Sequence, residues 1–557
     1  MRATPVLTAL LLISAGMPGL ATAQSNAPVL AGRVSSADEA AMEGVLVSAK
    51  RAGATITVTV VSDRDGRYAF PAGRLAPGNY VLATRAVGYD LDGTDKVTVA
   101  AGGTTTHDIR LRKTDDLAAQ LTNAEWIASV PGTEAQKASL LGCVGCHTLE
   151  RPIYSTHSPE EFIDVLRRMA SYAQVSQPNR PQKKLYAPEA DGPTERFKPQ
   201  ADWLASINRS ESNVWAYPLK TFPRPSGRAT RVIVTEYDLP RDEIQPHDVI
   251  VDRRGTAWYS DFGEMFLGSL DPRTGQVTEH PLPVQKPAAP QGSLALRADA
   301  AGDLWLGMMF QGGVARFQPA KQTLQVFPLT ADRNDEGTQI NMVSPERSGV
   351  DGKVWLQDTG KREAAHRLDL KTGRFETFEP FKNAPPDAPF PPGLRHVLYD
   401  VIPDSANNAY FTDLTNQVIG RIDAKTGQIR FWRTPTANSN TRRGSVDSQD
   451  RFWFAEHRGN RIGMFDPKTE KITEWEAPLP WSAPYDVAVD RNGDAWTGGM
   501  TSDRILRLDT KSGEMVAYLL PRETNVRRVF VDSSGPRPVF WVGNNHGASI
   551  IRLEPLD

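Results

Sequence analysis

An aromatic residue recurs in one context, on an apolar strand entered through an Asp and a Gly turn. The seven copies are Trp258, Trp305, Trp355, Tyr410, Trp453, Trp496 and Trp541, spaced 43 to 55 residues apart. A period of this length leaves few architectures open. Each unit of about four short strands cannot bury its own apolar face, whereas stacking the units in a circle does. A C-terminal seven-bladed β-propeller is therefore expected over residues 229–557. Within a unit the third strand reads as in Arg461-Ile462-Gly463-Met464-Phe465, the hairpin as in Asp423-Ala424-Lys425-Thr426-Gly427, and the outer strand as in Ile472-Thr473-Glu474-Trp475. The last unit stops at Asp557 where an outer strand is due. Residues 231–240 carry that pattern, so they are expected to complete the blade and close the ring, which removes unpaired sheet edges.

Residues 1–23 read as a secretory signal peptide. Arg2 supplies the positive start, residues 6–20 the apolar stretch, and Ala21-Thr22-Ala23 the small-residue cleavage site before Gln24. A periplasmic or secreted protein is expected. No later run is apolar for long enough to span a bilayer, so no membrane span is expected after signal cleavage. A formal net charge of −2 without a long basic run argues against nucleic acid as a partner. From 29 to 111, short alternating runs punctuated by glycine predict a small β-sandwich, bounded at 28–112. Its stretches Asp65-Gly66-Arg67-Tyr68-Ala69-Phe70 and Leu75-Ala76-Pro77-Gly78-Asn79-Tyr80, followed by Gly88-Tyr89, resemble the carboxypeptidase regulatory-like family. The resemblance implies a non-catalytic role, commonly adhesion or carbohydrate association. Asp63 and Asp65 suit a tight turn by themselves and are read as turn residues rather than calcium ligands.

Both cysteines of the chain fall in Cys143-Val144-Gly145-Cys146-His147. This is the spacing of c-type haem attachment, in which two thiols hold the porphyrin and the adjacent histidine reaches the iron. A thioredoxin-like pair would need a βαβ context, and a zinc site would need further cysteines. One covalent haem c is expected, bound by Cys143 and Cys146, with His147 as proximal iron ligand. Helical patterns surround the motif at 116–130, 134–141, 159–169 (opened by Ser158) and 201–207. The segment 116–210 resembles the cytochrome c family, which implies a second axial ligand downstream, usually methionine. Met169 is the candidate distal ligand, His157 the alternative, and an open sixth position remains a third option. Residues 178–199 read as a surface excursion and 210–229 as a linker. The chain is thus expected to be multidomain and mainly β: a β-sandwich, a small α-helical cytochrome c domain and the propeller.

The blades resemble the streptogramin B lyase family in Trp453-Phe454-Ala455-Glu456, Asn460-Arg461-Ile462-Gly463 and Ile472-Thr473-Glu474-Trp475-Glu476-Ala477-Pro478-Leu479-Pro480. That resemblance implies elimination chemistry that opens a cyclic depsipeptide, with Pro-His segments and glutamates that hold magnesium. Only Pro246-His247 matches such a segment, and Gln245 stands where a metal-binding glutamate is due. A neutral amide is a weaker ligand for a hard cation than a carboxylate. Magnesium is therefore kept only as the cofactor that accompanies the lyase alternative.

Repetition also weighs single residues. Asp261, Asp358, Asp413 and Glu456 share one blade position, and Asp248, Asp400 and Asp486 another, so both sets are read as scaffold. The departures are more informative: His247, Arg442 and Arg527 are the candidate catalytic residues, with His457 and His546 beside them. Elimination transfers no electrons, so haem favours an oxidoreductase over a C–O lyase. The expected function is electron transfer coupled to binding or oxidation of a substrate at the propeller. The alternatives are a lyase-like enzyme or a non-catalytic binding propeller with an accessory haem. A small-molecule, carbohydrate or peptide ligand and a redox partner protein are expected.

Overall fold

The computed structural model describes residues 27–209, 214–391 and 393–557; the signal-peptide expectation lies outside them. The chain is mainly β. Six four-stranded antiparallel sheets follow one another from Pro246–Val251 to Met515–Leu519. A seventh set joins Phe530–Asp532, Val539–Asn544 and Ser549–Pro555 to Val232–Asp238. The innermost strand of each sheet packs against that of the next, and the first against the last, so the sheets form a propeller-like ring. Closure follows the sequence expectation: Val232–Asp238 pairs antiparallel with Ser549–Pro555 over its whole length, from Val232 opposite Pro555 to Asp238 opposite Ser549.

The repeated residues explain the repeated sheet. In four blades the Asp that ends the inner strand accepts the indole N–H of the aromatic anchor: Trp258 donates to Asp252, Trp305 to Asp299, Trp453 to Asp447 and Trp496 to Asp490, each at 2.9–3.0 Å. A buried indole N–H needs such a partner, and the same carboxylate orders the Gly turn between them. The glycine of the third strand faces an aromatic ring across the ladder. A Cβ at Gly463 would lie 2.3 Å from the Phe454 ring, and one at Gly268 would lie 1.9 Å from the Tyr259 ring. The residues that carry the blade resemblance are therefore packing residues. Asp261 Oδ1 accepts the backbone N–H groups of Gln245, Gly263 and Glu264, and Asp358 and Asp413 hold their loops in the same way.

Residues 27–113 form a β-sandwich-like unit around its own core of Leu30, Val47, Tyr68, Phe70 and Leu82. Asp63 Oδ1 accepts from the N–H groups of Asp65 and Arg67, as a turn residue does. Sequence reasoning missed the edge of this unit. Strand Ile56–Val61 pairs with Val232–Asp238, so one sandwich sheet runs on into the seventh propeller sheet without a break.

Between these units lies a helical segment. The expected helix over 116–130 is instead a 3-10 turn, Ala118–Gln120, followed by Asn123–Ser129. Thr122 interrupts it: its side chain caps Glu125 N–H while the Glu125 carboxylate accepts from Thr122 N–H, a box that defines a helix start. Helices Glu134–Ser139 and Pro159–Ser171 open with the same reciprocal bonds, at Thr133/Gln136 and Ser158/Glu161. Helix Lys198–Ile207 packs across Pro159–Ser171. Among the described residues no helix is long and apolar enough to cross a membrane.

Two connections gain detail from the structure. Residues 178–199 lie largely on the surface and are tied to the propeller at Gln182. Gln182 donates its side-chain amide to the carbonyls of Gly263 and Gln291 and accepts from Gln291 N–H, which seats the stretch on the propeller rim. The described part of 210–229 connects the helical segment to the propeller and is packed along its way. Trp215 packs edge-on against Trp126 and Tyr154, at 5.0 and 5.2 Å between ring centroids, and Phe222 N–H donates to Glu125. Aromatic packing holds this proline-containing stretch in place.

Candidate functional site

The motif Cys143–His147 lies between two surfaces of different chemistry. Cys143 lies within a 3-10 helix, Leu140–Gly145, and Cys146 caps it. Both cysteines are free thiols. With His147 they line a cavity of about 690 Å³. Its opposite wall comes from one face of helix Pro159–Ser171, where Phe162, Val165, Leu166 and Met169 recur at helical spacing. His157 and Tyr172 also reach this cavity, and Arg151, Arg168 and Lys184 stand in its lining as cations. Met169 is 36% exposed, so the sequence candidate for distal ligand sits in the cavity wall without being locked into the core.

Electrostatics make the motif quiet as a thiol pair. Burial pushes the Cys143 thiol up to about 11 and raises Cys146 against the pull of Arg527 and Lys184. A reactive redox dithiol has the opposite shift. His147 Nδ1 lies 2.8 Å from the carbonyl of Thr148, so Nδ1–H is the donor and Nε2 keeps its lone pair. Burial lowers the His147 pKa, which holds the ring neutral, the form that ligates metals. The donor set, its protonation and the apolar wall all fit a covalently held haem.

The other face of the motif meets the propeller. The two residues between the cysteines are gripped by the last blade's inner segment: Asn525 donates its side-chain amide to the carbonyl of Val144 at 3.0 Å, and Arg527 donates to the carbonyl of Gly145. Arg527 is fixed in turn by Asn525 Oδ1, 2.7 Å from its Nε. Ala124 N–H donates to the carbonyl of Thr501, and Gln245 Nε2 donates to that of Val175 at 2.9 Å. The helical segment thus covers the mouth of the ring and shares a core with it, which includes Trp126, Phe262 and Tyr485.

Beneath this cover the departures from the repeat come together. The Arg527 guanidinium lies 4.9 Å from the Phe262 ring, whose centroid is 4.6 Å from that of His247. Arg442 lies 4.8 Å over the ring of Tyr485, whose hydroxyl bonds that of Tyr399. His247 is fully buried. Its Nδ1 is 2.8 Å from Asp248, and its Nε2 has no partner. Burial drives the His247 pKa down to about 3, further than the Asp248 bond can restore it.

One residue deeper, a charge network fills the channel. Arg443 makes two bonds to Asp248, at 2.6 and 2.8 Å, across the ring. Arg297 pairs with Asp400 at 3.0 Å and Arg528 with Asp486 at 2.6 Å. Burial alone would raise Asp248, but Arg443 and His247 reverse this and hold it well below the carboxylate range. Sequence reasoning placed Asp248, Asp400 and Asp486 as scaffold but missed their cations. Arg443 and Arg528 were each one residue past a residue already singled out, and the alternation of side chains along a strand was the signal that could have found them.

A magnesium site of the lyase kind does not fit here. The Gln245 amide is engaged with Val175, and Arg442 and Arg527 put positive charge into the same mouth, which opposes a dication. Among the described residues no cluster of three or more His, Cys, Asp or Glu side chains could hold a metal ion.

Comparison with known proteins matches two stretches. Residues 392–556 match the virginiamycin B lyase family and residues 29–112 the carboxypeptidase regulatory-like domain; the helical segment lies outside both. No curated protein matches the chain. Among solved structures, it is similar to selenomethionine-substituted virginiamycin B lyase from Staphylococcus aureus, at 21% identity over 58% of this chain and 99% of that one, with a TM-score of 0.47. A catalytically inactive form of the Staphylococcus aureus enzyme with quinupristin gives 19% identity over 58% and 99%, with a TM-score of 0.47. A streptogramin B lyase structure gives 20% identity over 59% and 99%, with a TM-score of 0.48. The chain therefore carries a stretch similar to the virginiamycin B lyase family in its C-terminal sheets and a carboxypeptidase regulatory-like domain at its N-terminal end.

Proposed function

We propose that this chain is an exported c-type haem protein that exchanges electrons with a ligand or partner at a seven-bladed propeller, an oxidoreductase rather than a lyase. In this reading residues 116–210 are a cytochrome c domain seated on the propeller of residues 229–557. The observation that carries it is the cavity of about 690 Å³ into which Cys143, Cys146 and His147 open together. Cys143 and Cys146 would hold the haem through thioether bonds, and His147 would ligate its iron through Nε2. When bound, the haem supplies one-electron transfer at a potential set by its axial ligands.

The chain's own residues prepare the site. Thr148 fixes the ring tautomer of His147, and the apolar face of helix Pro159–Ser171 supplies an apolar wall to the cavity. Met169 would serve as the distal ligand, with His157 as its rival, since both line the same cavity. The grip of Asn525 and Arg527 on Val144 and Gly145 holds the motif's backbone against the propeller mouth, which is what electron exchange between the two would require.

The test is made on mature protein produced with haem-attachment machinery. A Soret band and a mass increase of one haem are expected, both lost in Cys143→Ser/Cys146→Ser. Met169→Ala should change the low-spin spectrum where His157→Ala does not. A mature chain with the mass of its amino acids alone would overturn the reading.

A further inference from the structure

The propeller mouth holds two cations that lack a counter-charge, Arg527 buried and Arg442 half-buried. In the layer below, Arg297, Arg443 and Arg528 each meet an aspartate. Arg442 and Arg527, one residue earlier on two of the same inner segments, meet none among the described residues. Arg527 bonds only the neutral Asn525 and Gly145, and Arg442 makes a ring contact with Tyr485 while its Nε stays unpartnered. Arg527 is 4% exposed. Burying a cation without an opposite charge is strongly unfavourable, so the site is complementary to an anion.

The remaining groups say what else that anion must carry. His247 and His457 are buried and have unpartnered Nε2 atoms. Their Nδ1 atoms face the Asp248 carboxylate and the Pro484 carbonyl, so Nδ1 bears the hydrogen and Nε2 is an acceptor. A ligand therefore has to bring a hydrogen-bond donor. An ammonium group would be repelled by the two arginines, which leaves a hydroxyl. Tyr399 and Tyr485 share one hydrogen between their oxygens and keep a second O–H to donate. Tyr485 joins the set: its ring centroid lies 6.0 Å from that of His247 and 6.4 Å from that of His457, with Arg442 over its face.

We infer that the propeller mouth binds a small carboxylate that also carries a hydroxyl group, with Arg442 and Arg527 on the anion, His247 and His457 accepting from the hydroxyl, and the Tyr399–Tyr485 pair donating to the carboxylate. This names the ligand class for the ligand-binding half of the function proposed above and rests on that half alone, because none of these residues is a candidate haem ligand.

Equilibrium dialysis of radiolabelled lactate against the full mature protein tests it, with haem content read from the spectrum of the same sample. Saturable binding at one site per chain is expected. Propionate, with the same charge and no hydroxyl, should compete at least about tenfold less well, and uncharged 1,2-propanediol should not compete. Arg442→Gln should weaken lactate by about tenfold or more, with Arg442→Lys intermediate and both variants folded by circular dichroism. Failure of lactate to bind, equal competition by propionate or propanediol, tighter competition by inorganic phosphate, or unchanged affinity in folded Arg442→Gln would each overturn the inference. Lactate binding by a protein without haem would overturn the redox reading and leave this one standing; haem without lactate binding would do the reverse.

Discussion

Arg527, on the last blade's inner segment, donates to the carbonyl of Gly145, the residue that precedes the second cysteine of the Cys143–His147 motif. The contact joins positions 382 residues apart in the chain, and it makes the motif's backbone part of the propeller's upper surface while its side chains face away. A motif free to move would need no such grip.

Removing that grip should loosen the motif before it unfolds the protein. In Arg527→Leu, amide exchange across residues 144–147 is expected to speed up by about tenfold or more, as the loss of a charge-assisted bond worth roughly 1.5–3 kcal/mol implies. Hydrogen–deuterium exchange with peptide mapping reads this. Protection in the sandwich unit should stay unchanged; a uniform rise across the chain would count against the local account.

Arg443 offers a sharper stability test. Both it and Asp248 are fully buried, so Arg443→Met leaves a carboxylate without its cation. The expected loss is about 3–5 kcal/mol, seen as a lower urea midpoint. Pairing the change with Asp248→Leu removes the stranded charge and should restore most of the loss. A double variant as unstable as the single one would show that the network's geometry, rather than its charge balance, matters.

Glu456 sets a pH dependence. It is fully buried, neither carboxyl oxygen has a partner, and burial together with Glu474 pushes its pKa up to about 9 from an ordinary value of 4.5. A folded pKa above the unfolded one means that the group's contribution is full below pH 4.5 and is lost as pH rises through about 9. Glu456→Gln should abolish that trend. The difference in urea midpoint between wild type and variant should therefore move in the variant's favour from about pH 5 to about pH 9. His247 loses stability in the opposite direction, as pH falls from 6.5 toward about 3, but it is common to both proteins and cancels.

Deleting residues 27–112 uncovers the edge of Val232–Asp238 that now pairs with Ile56–Val61. An exposed strand edge recruits another strand, so the shortened protein should self-associate. Analytical ultracentrifugation should show dimers or larger species where the full chain is monodisperse. Charged substitutions at Val232 or Val234 would misreport, because both side chains are buried in the blade core.

Much of this architecture was legible because repetition multiplies a weak signal. Seven aromatic anchors and their aspartates gave the blade period, and the missing outer strand gave the closure. The departures His247, Arg442 and Arg527 were legible as departures, and they meet at one mouth. What could not be read was pairing between distant segments. Arg443 and Asp248 are 195 residues apart, and nothing local to either names the other. The pairing of Ile56–Val61 with Val232–Asp238 was hidden for a related reason: each strand already had a complete role in its own sheet. Trp215 was overlooked because proline-rich surroundings disguised an aromatic that packs on Trp126.

Strand Val232–Asp238 is bonded on one side to Ser549–Pro555 and on the other to Ile56–Val61. It works as a shared hinge pin. The circle cannot be locked until Ser549–Pro555 has been made, so its closure has to wait for that strand. A single protease cut that frees Ser549–Pro555 would therefore slacken the circle and the sandwich in one event.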